Sequence, residues 1–132
     1  MSEAEEFLRR NPTQYCATIG KDGRPKVRPF RMMYCEGDDI YYCTGAKKAV
    51  YAELQAHPYP EICACEGLRR LRISGKAERV DDRAAKEKAV SASGSVRSIY
   101  RGADDPDLKV FRIADASVVF SDLYRAVKDD AY

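Results

Sequence analysis

The chain has 132 residues, 45% apolar and 33% charged, proportions of an ordinary globular protein that favour neither a disordered nor a membrane-embedded class. Its 23 basic and 21 acidic side chains leave a net charge of only +2, too little for a broad nucleic-acid-binding face, so an anion site has to be local. Five cysteines, Cys16, Cys35, Cys43, Cys63 and Cys65, form an odd set without an export-type leader, and read as reduced thiols rather than a disulfide framework. No run approaches the roughly 18 to 20 apolar residues that cross a bilayer. The expected compartment is the cytoplasm, with no membrane and no nucleic acid as partner. A single domain over residues 1–132 is expected, because a second core would lack apolar surface.

In chain order, Ala4, Phe7 and Leu8 stand at helical spacing between Glu3 and Arg10, and Asn11-Pro12 ends the run. YCATIG, KVRPFRMMYC and DIYYCT are rich in β-branched and aromatic residues and are separated by Lys21-Asp22-Gly23 and Glu36-Gly37-Asp38, which predicts a three-stranded antiparallel meander. Val50 and Leu54 predict a helix over Ala46–Ala56, stopped by His57-Pro58. PEICACE and RRLRISGKAERV form a hairpin about Gly67, with Gly75 marking a bulge. RAAKEKAVSA predicts a helix capped by Asp81-Asp82 and stopped by Gly94, and SVRSIY a short turn. LKVFRIAD and SVVFSDLY then read as a closing pair of strands. Strands joined by hairpins, with helices confined to connections, predict a mainly β fold: a closed or split β-barrel of about six or seven antiparallel strands with peripheral helices.

The most informative chemistry lies at Cys43-Thr44-Gly45-Ala46-Lys47-Lys48, where a strand ends and a helix begins. Free backbone N–H groups, the Thr44 hydroxyl and the charges of Lys47 and Lys48 suit an anion there. Lysines in a first helical turn oppose the helix dipole, a small misfit that a bound anion would relieve. The second strand carries Lys26, Arg28 and Arg31 around Pro29 and Phe30, an unusual cationic load interrupted by a residue that donates no ladder bond. Strand alternation puts Lys26 and Arg28 on one face and Arg31 on the other, unless Pro29 introduces a bulge.

The segments VRPFRMMY, IYYCTGAKKAVYAEL, HPYPEI and LRISGKAERVDD, in that order and spacing, resemble the FMN-binding split barrels related to pyridoxamine 5′-phosphate oxidase, over roughly Phe7 to Phe120. The resemblance implies a homodimer with FMN at the subunit interface. Arg28, Pro29, Phe30 and Arg31 would meet the flavin, and Thr44, Lys47 and Lys48 would hold its phosphate. It implies an FMN-dependent oxidoreductase taking electrons from a donor such as NAD(P)H to a small-molecule substrate. The alternative is a non-catalytic protein of the same fold that binds or senses a flavin, a deazaflavin or haem. The sequence departs from the family pattern at Arg31 and Arg70, where relatives often carry Gly and Trp. Arg31 would either crowd the flavin or place charge near its pyrimidine edge, and Arg70 would pair with an acid or reach across the dimer.

No catalytic side chain and no metal site is nominated. His57 reads as a helix C-terminal cap. Cys63 and Cys65, on one strand face, lack the further ligands a zinc site needs and read as small core residues. The nine tyrosines read mainly as barrel packing, with Tyr42, Tyr51 and Tyr100 nearest the expected site. No Ser-His-Asp arrangement, GxGxxG or Walker-type loop is present, which disfavours hydrolase and nucleoside-triphosphate chemistry.

Overall fold

Ala4, Phe7 and Leu8 fall on one face of helix α1, Ser2–Arg10, and bury it against the sheet; the acidic Glu3 and Glu5 lead and the basic Arg9 and Arg10 close the helix, as its dipole favours. The computed structural model describes residues 2–122. The elements that follow are β1 (Gln14–Ile19), β2 (Pro25–Phe30), β3 (Tyr34–Glu36), β4 (Asp39–Gly45), α2 (Ala49–Ala56), β5 (Glu61–Glu66), β6 (Arg69–Val80), α3 (Arg83–Ala92), α4 (Gly94–Ile99) and β7 (Leu108–Asp122). The seven strands form one antiparallel sheet in the order β2-β1-β5-β6-β7-β4-β3.

The sheet curls until its ends meet. Phe30 of β2 stacks on Tyr42 of β4 with ring centroids 5.9 Å apart, although four strands separate β2 from β4 in the ladder. No ladder bonds close this seam among the described residues; Gln14 bridges it. Its buried Oε1 accepts from Met32 N at 3.1 Å and from the Tyr42 hydroxyl at 3.1 Å, while Nε2 donates to the carbonyls of Leu8 and Asn11. One apolar cluster, including Phe7, Cys16, Tyr42, Ile62 and Leu71, fills the inside of the curl. A second, including Tyr41, Ala89, Val96, Leu108 and Val110, lies outside β4 and β7 under α3 and α4. The fold is thus the expected mainly β split barrel with peripheral helices.

Three expectations are corrected. The three-stranded meander does not form: KVRPFRMMYC splits because Met32 N turns to the Gln14 side chain and Met33 N to Tyr41 O, so β2 and β3 end on opposite edges of the sheet. LKVFRIAD and SVVFSDLY are one strand, since β7 runs through Asp115, whose φ of 47° bends the chain without reversing it. The tail of that second segment, Leu123 and Tyr124, lies outside the described residues. SVRSIY is helical: Ser93 caps α4, its hydroxyl accepting from Val96 N, and Gly94 opens that helix rather than merely stopping α3. The Gly75 bulge forms between Ser74 and Lys76, where a Cβ would meet Ile113 Cγ2 at 2.7 Å.

Candidate functional site

A cavity of about 650 Å³ opens beside the seam. One wall is β2 and the bend after it, with Arg28, Pro29, Phe30 and Arg31; a second is the β4–α2 turn, with Thr44, Lys48 and Val50; the third is α4 with its cap, Ser93, Val96, Ile99 and Tyr100. Six of the seven residues singled out from the sequence therefore surround one space. Lys47 does not: it lines a separate depression with Lys21, Asp22 and Lys26 on the far side of the same turn, which Lys48 also borders.

The β4–α2 turn is built by backbone bonds. Ala46 N donates to Asp107 O at 2.8 Å and Lys48 N to Gly45 O at 3.1 Å, which delays the helix to Ala49 and corrects the start expected at Ala46. Lys48 is the N-cap of α2 and no side chain caps the helix, so its leading amides keep their donor capacity and partial positive charge. Neither lysine lies within the first helical turn, so the expected opposition to the dipole is reduced to charge close to that end. Thr44, 4% exposed, has a buried hydroxyl with no hydrogen-bond partner among the described residues. An orphaned buried hydroxyl costs about 1–3 kcal/mol, so one on a cavity wall points to a ligand that completes it.

Gly45 alternates to the other side of β4, where a Cβ would lie 2.9 Å from the Tyr100 hydroxyl and 3.3 Å from Asp107 Oδ2. The close packing needs glycine. Burial, then the neighbouring Cys43 and Asp107, push the Tyr100 phenol above its ordinary range.

On β2 the side chains divide. Arg28 donates to Glu53 Oε1 at 2.6 Å and to the Thr18 hydroxyl at 2.6 Å, and that hydroxyl donates to Glu53 Oε1 at 2.7 Å. Its guanidinium is committed to tying β1 and β2 to α2. Phe30 turns its ring onto Tyr42 and Phe111. Pro29 faces outward on an edge strand, where a missing N–H costs no ladder bond, and among the described residues the backbone rim of β2 is unpaired on its open side. Arg31 is exposed on the cavity wall.

Sequence reasoning missed Glu53 and Thr18, which anchor Arg28, and the α4 wall. The signal for that wall was present: Ser93 at a capping position ahead of Val96, Ile99 and Tyr100 at helical spacing. Of the three tyrosines placed near the site, only Tyr100 reaches this cavity. Tyr42 is fully buried and bonded to Gln14, and Tyr51 lines another pocket beside Pro58, Arg79 and Lys109. His57 is the C-cap residue of α2, through its backbone N–H to Glu53 O. Cys63 and Cys65 are not core residues: they lie on the outer sheet face, Cys63 half-buried and Cys65 exposed. No group of three or more His, Cys, Asp or Glu residues that could hold a metal occurs among the described residues. No described helix is long and apolar enough to cross a membrane.

A family model for pyridoxamine 5′-phosphate oxidase matches residues 1–121. The chain belongs to this family. Among solved structures, the chain is similar to a NimC/NimA family protein of Clostridium acetobutylicum, with a TM-score of 0.84 and 26% identity over 94% of this chain and 88% of that one. It is also similar to a Clostridium acetobutylicum protein related to general stress protein 26, of the pyridoxinephosphate oxidase family, with a TM-score of 0.70 and 17% identity over 94% of each chain. A structure named F420 reductase matches with a TM-score of 0.66 and 22% identity, over 89% of this chain and 94% of that one. No curated protein matches the chain. The pyridoxamine 5′-phosphate oxidase fold thus extends over nearly the whole chain, Arg31 and Arg70 included. Arg70 is buried, its Nε donating to Ser121 Oγ at 3.2 Å.

Proposed function

We propose that this pyridoxamine 5′-phosphate oxidase family member is an FMN-dependent oxidoreductase that works as a homodimer. The observation that carries the reading is the unpartnered Thr44 hydroxyl on the cavity wall, beside an uncapped helix start and the Lys48 ammonium. A hydroxyl donor, helix amides and one cation form a donor set that matches the phosphate of FMN. The unpaired rim of β2 offers backbone groups to the polar edge of a flavin ring, and Met33, Val96 and Ile99 supply apolar surface.

Bound there, FMN would supply hydride or electron transfer, and the chain would supply binding, orientation and exclusion of water. Glu53 and Thr18 hold Arg28, and through it fix β2 against α2, the two elements that must grip opposite ends of the cofactor. Asp107 faces Gly45, on the side of β4 opposite the Thr44 side chain. Dimerisation is supported by Tyr15, Ile19, Val27 and Val119, apolar side chains exposed on the outer sheet face. A pyridine nucleotide such as NAD(P)H is the expected electron donor.

A deazaflavin in place of FMN is the second reading, favoured by the likeness to the structure named F420 reductase. The visible spectrum and mass of the chromophore that co-purifies distinguish the two. Titration with FMN tests the site: Thr44→Val and Lys48→Ala should each weaken binding, and unchanged affinity in both removes the assignment.

A further inference from the structure

The segment from β2 into the following bend carries three cations, and two of them are neutralised within the protein. Lys26 pairs with Asp22 at 3.0 Å and Arg28 with Glu53 at 2.6 Å. Arg31 has no hydrogen bond, ion pair or ring contact among the described residues, although it lines the same cavity. Its backbone position is nevertheless well defined. The next two amides are tied down, Met32 N to Gln14 Oε1 at 3.1 Å and Met33 N to Tyr41 O at 2.8 Å. The backbone that carries this unpaired guanidinium is thereby fixed beside a ligand-sized cavity.

That place lies away from the helix end. Lys26 and Arg28 lie toward α2, whereas the pairing of Phe30 with Gln14 sets Arg31 beside Pro12 and Thr13. Pro29 and Phe30 separate Arg28 from Arg31, an advance of about 10 Å at the rise of an extended chain. Lys48 with the α2 amides and Arg31 thus stand on different walls of the cavity. With the phosphate of FMN at the helix start, Arg31 is left for a separate anionic group.

We infer that Arg31 is a specificity-determining residue that recognises a carboxylate on the substrate, an inference that rests on the flavin reading above. A planar guanidinium matches a carboxylate through two parallel hydrogen bonds, which an ammonium cannot reproduce. Beside it, Met33, Val96 and Ile99 form an apolar surface, with Ile99 64% exposed. The substrate class is accordingly an organic acid with an apolar body: the body lies against α4 and the flavin, and the acid group meets Arg31.

Benzoate and its neutral analogue benzamide are the probes, titrated into the FMN-loaded protein and followed by the flavin's visible absorbance and by calorimetry. The wild type should bind benzoate at least about tenfold more tightly than benzamide. Arg31→Ala should abolish that preference while retaining wild-type FMN affinity, and Arg31→Lys should restore it only in part. No preference in the wild type, or the same preference in Arg31→Ala, overturns the inference. Loss of FMN affinity in Arg31→Ala also overturns it, by making Arg31 a cofactor ligand. If the wild type takes up no FMN, the flavin reading fails by itself. Calorimetry of benzoate and benzamide with the protein alone then still judges Arg31: a preference that Arg31→Ala removes sustains its role in carboxylate recognition, and no preference ends it.

Discussion

Thr44 separates the energetics of folding from those of binding in one atom. Its hydroxyl is buried without a partner among the described residues, so the fold they form gains nothing from it and bears its desolvation. Thr44→Val should leave thermal stability of the flavin-free protein unchanged or slightly raised, and weaken FMN about tenfold; paired melts and titrations check both halves. The cysteines give a second residue-level expectation. Burial pushes the thiols of Cys16, Cys35 and Cys43 from their ordinary 9.0 up to about 11. In the unfolded chain these thiols ionise first, so the folded state binds more protons between those values and stability falls as pH rises from 9 to 11. Below pH 9 their contribution is complete. Denaturant titrations under reductant at both ends of that window should show a larger alkaline loss for the wild type than for a Cys16→Ala, Cys35→Ala, Cys43→Ala variant.

Among the elements, α2 is held to the sheet by a charged contact that helical spacing alone could not reveal. Glu53 is 7% exposed and its carboxylate is satisfied by Arg28 and Thr18. Glu53→Leu leaves Arg28 partly buried and unpaired, and should cost roughly 2–3 kcal/mol, discounted because the guanidinium retains some water. Adding Arg28→Met should recover part of that loss in equilibrium unfolding, as removal of both charges leaves neither stranded. Gly75→Ala belongs to the same scale: its φ of 156° and the 2.7 Å approach to Ile113 predict a loss of about 1–3 kcal/mol, read from the same unfolding curves. What the sequence revealed at this scale was local. The cations of the second strand, the Thr44–Lys48 turn and the Gly75 bulge are each properties of a few consecutive residues. What escaped depended on distant partners: Met32 leaves the strand because Gln14 is there to receive its amide, and Glu53 looks like a solvated charge until β1 and β2 are packed beneath it. Helix α4, six residues long, carried its signal in one cap and a single apolar turn, short enough to be read as a turn.

For the whole molecule, the outer face of β1 and β2 is the expected contact with a second copy. Val27 is 70% exposed and pairs across the ladder with Ala17, so Val27→Glu removes no core packing and should act on association alone. Light scattering should report a dimer for the wild type and a lower mass for the variant, with FMN affinity falling in parallel if the partner completes the cofactor site. A wild-type monomer counts against the interfacial arrangement. The seam beside the cavity carries a consequence of its own. Where the sheet meets itself, the ladder among the described residues gives way to stacked rings and one amide side chain, so Gln14 acts as a clasp on the slit. Parting that slit would loosen the bend that carries Arg31 and widen the cavity in one movement. Breathing of the barrel and admission of ligand would then be the same motion, and a filled cavity would be expected to slow amide exchange at Met32 before it slows exchange anywhere in the closed part of the sheet.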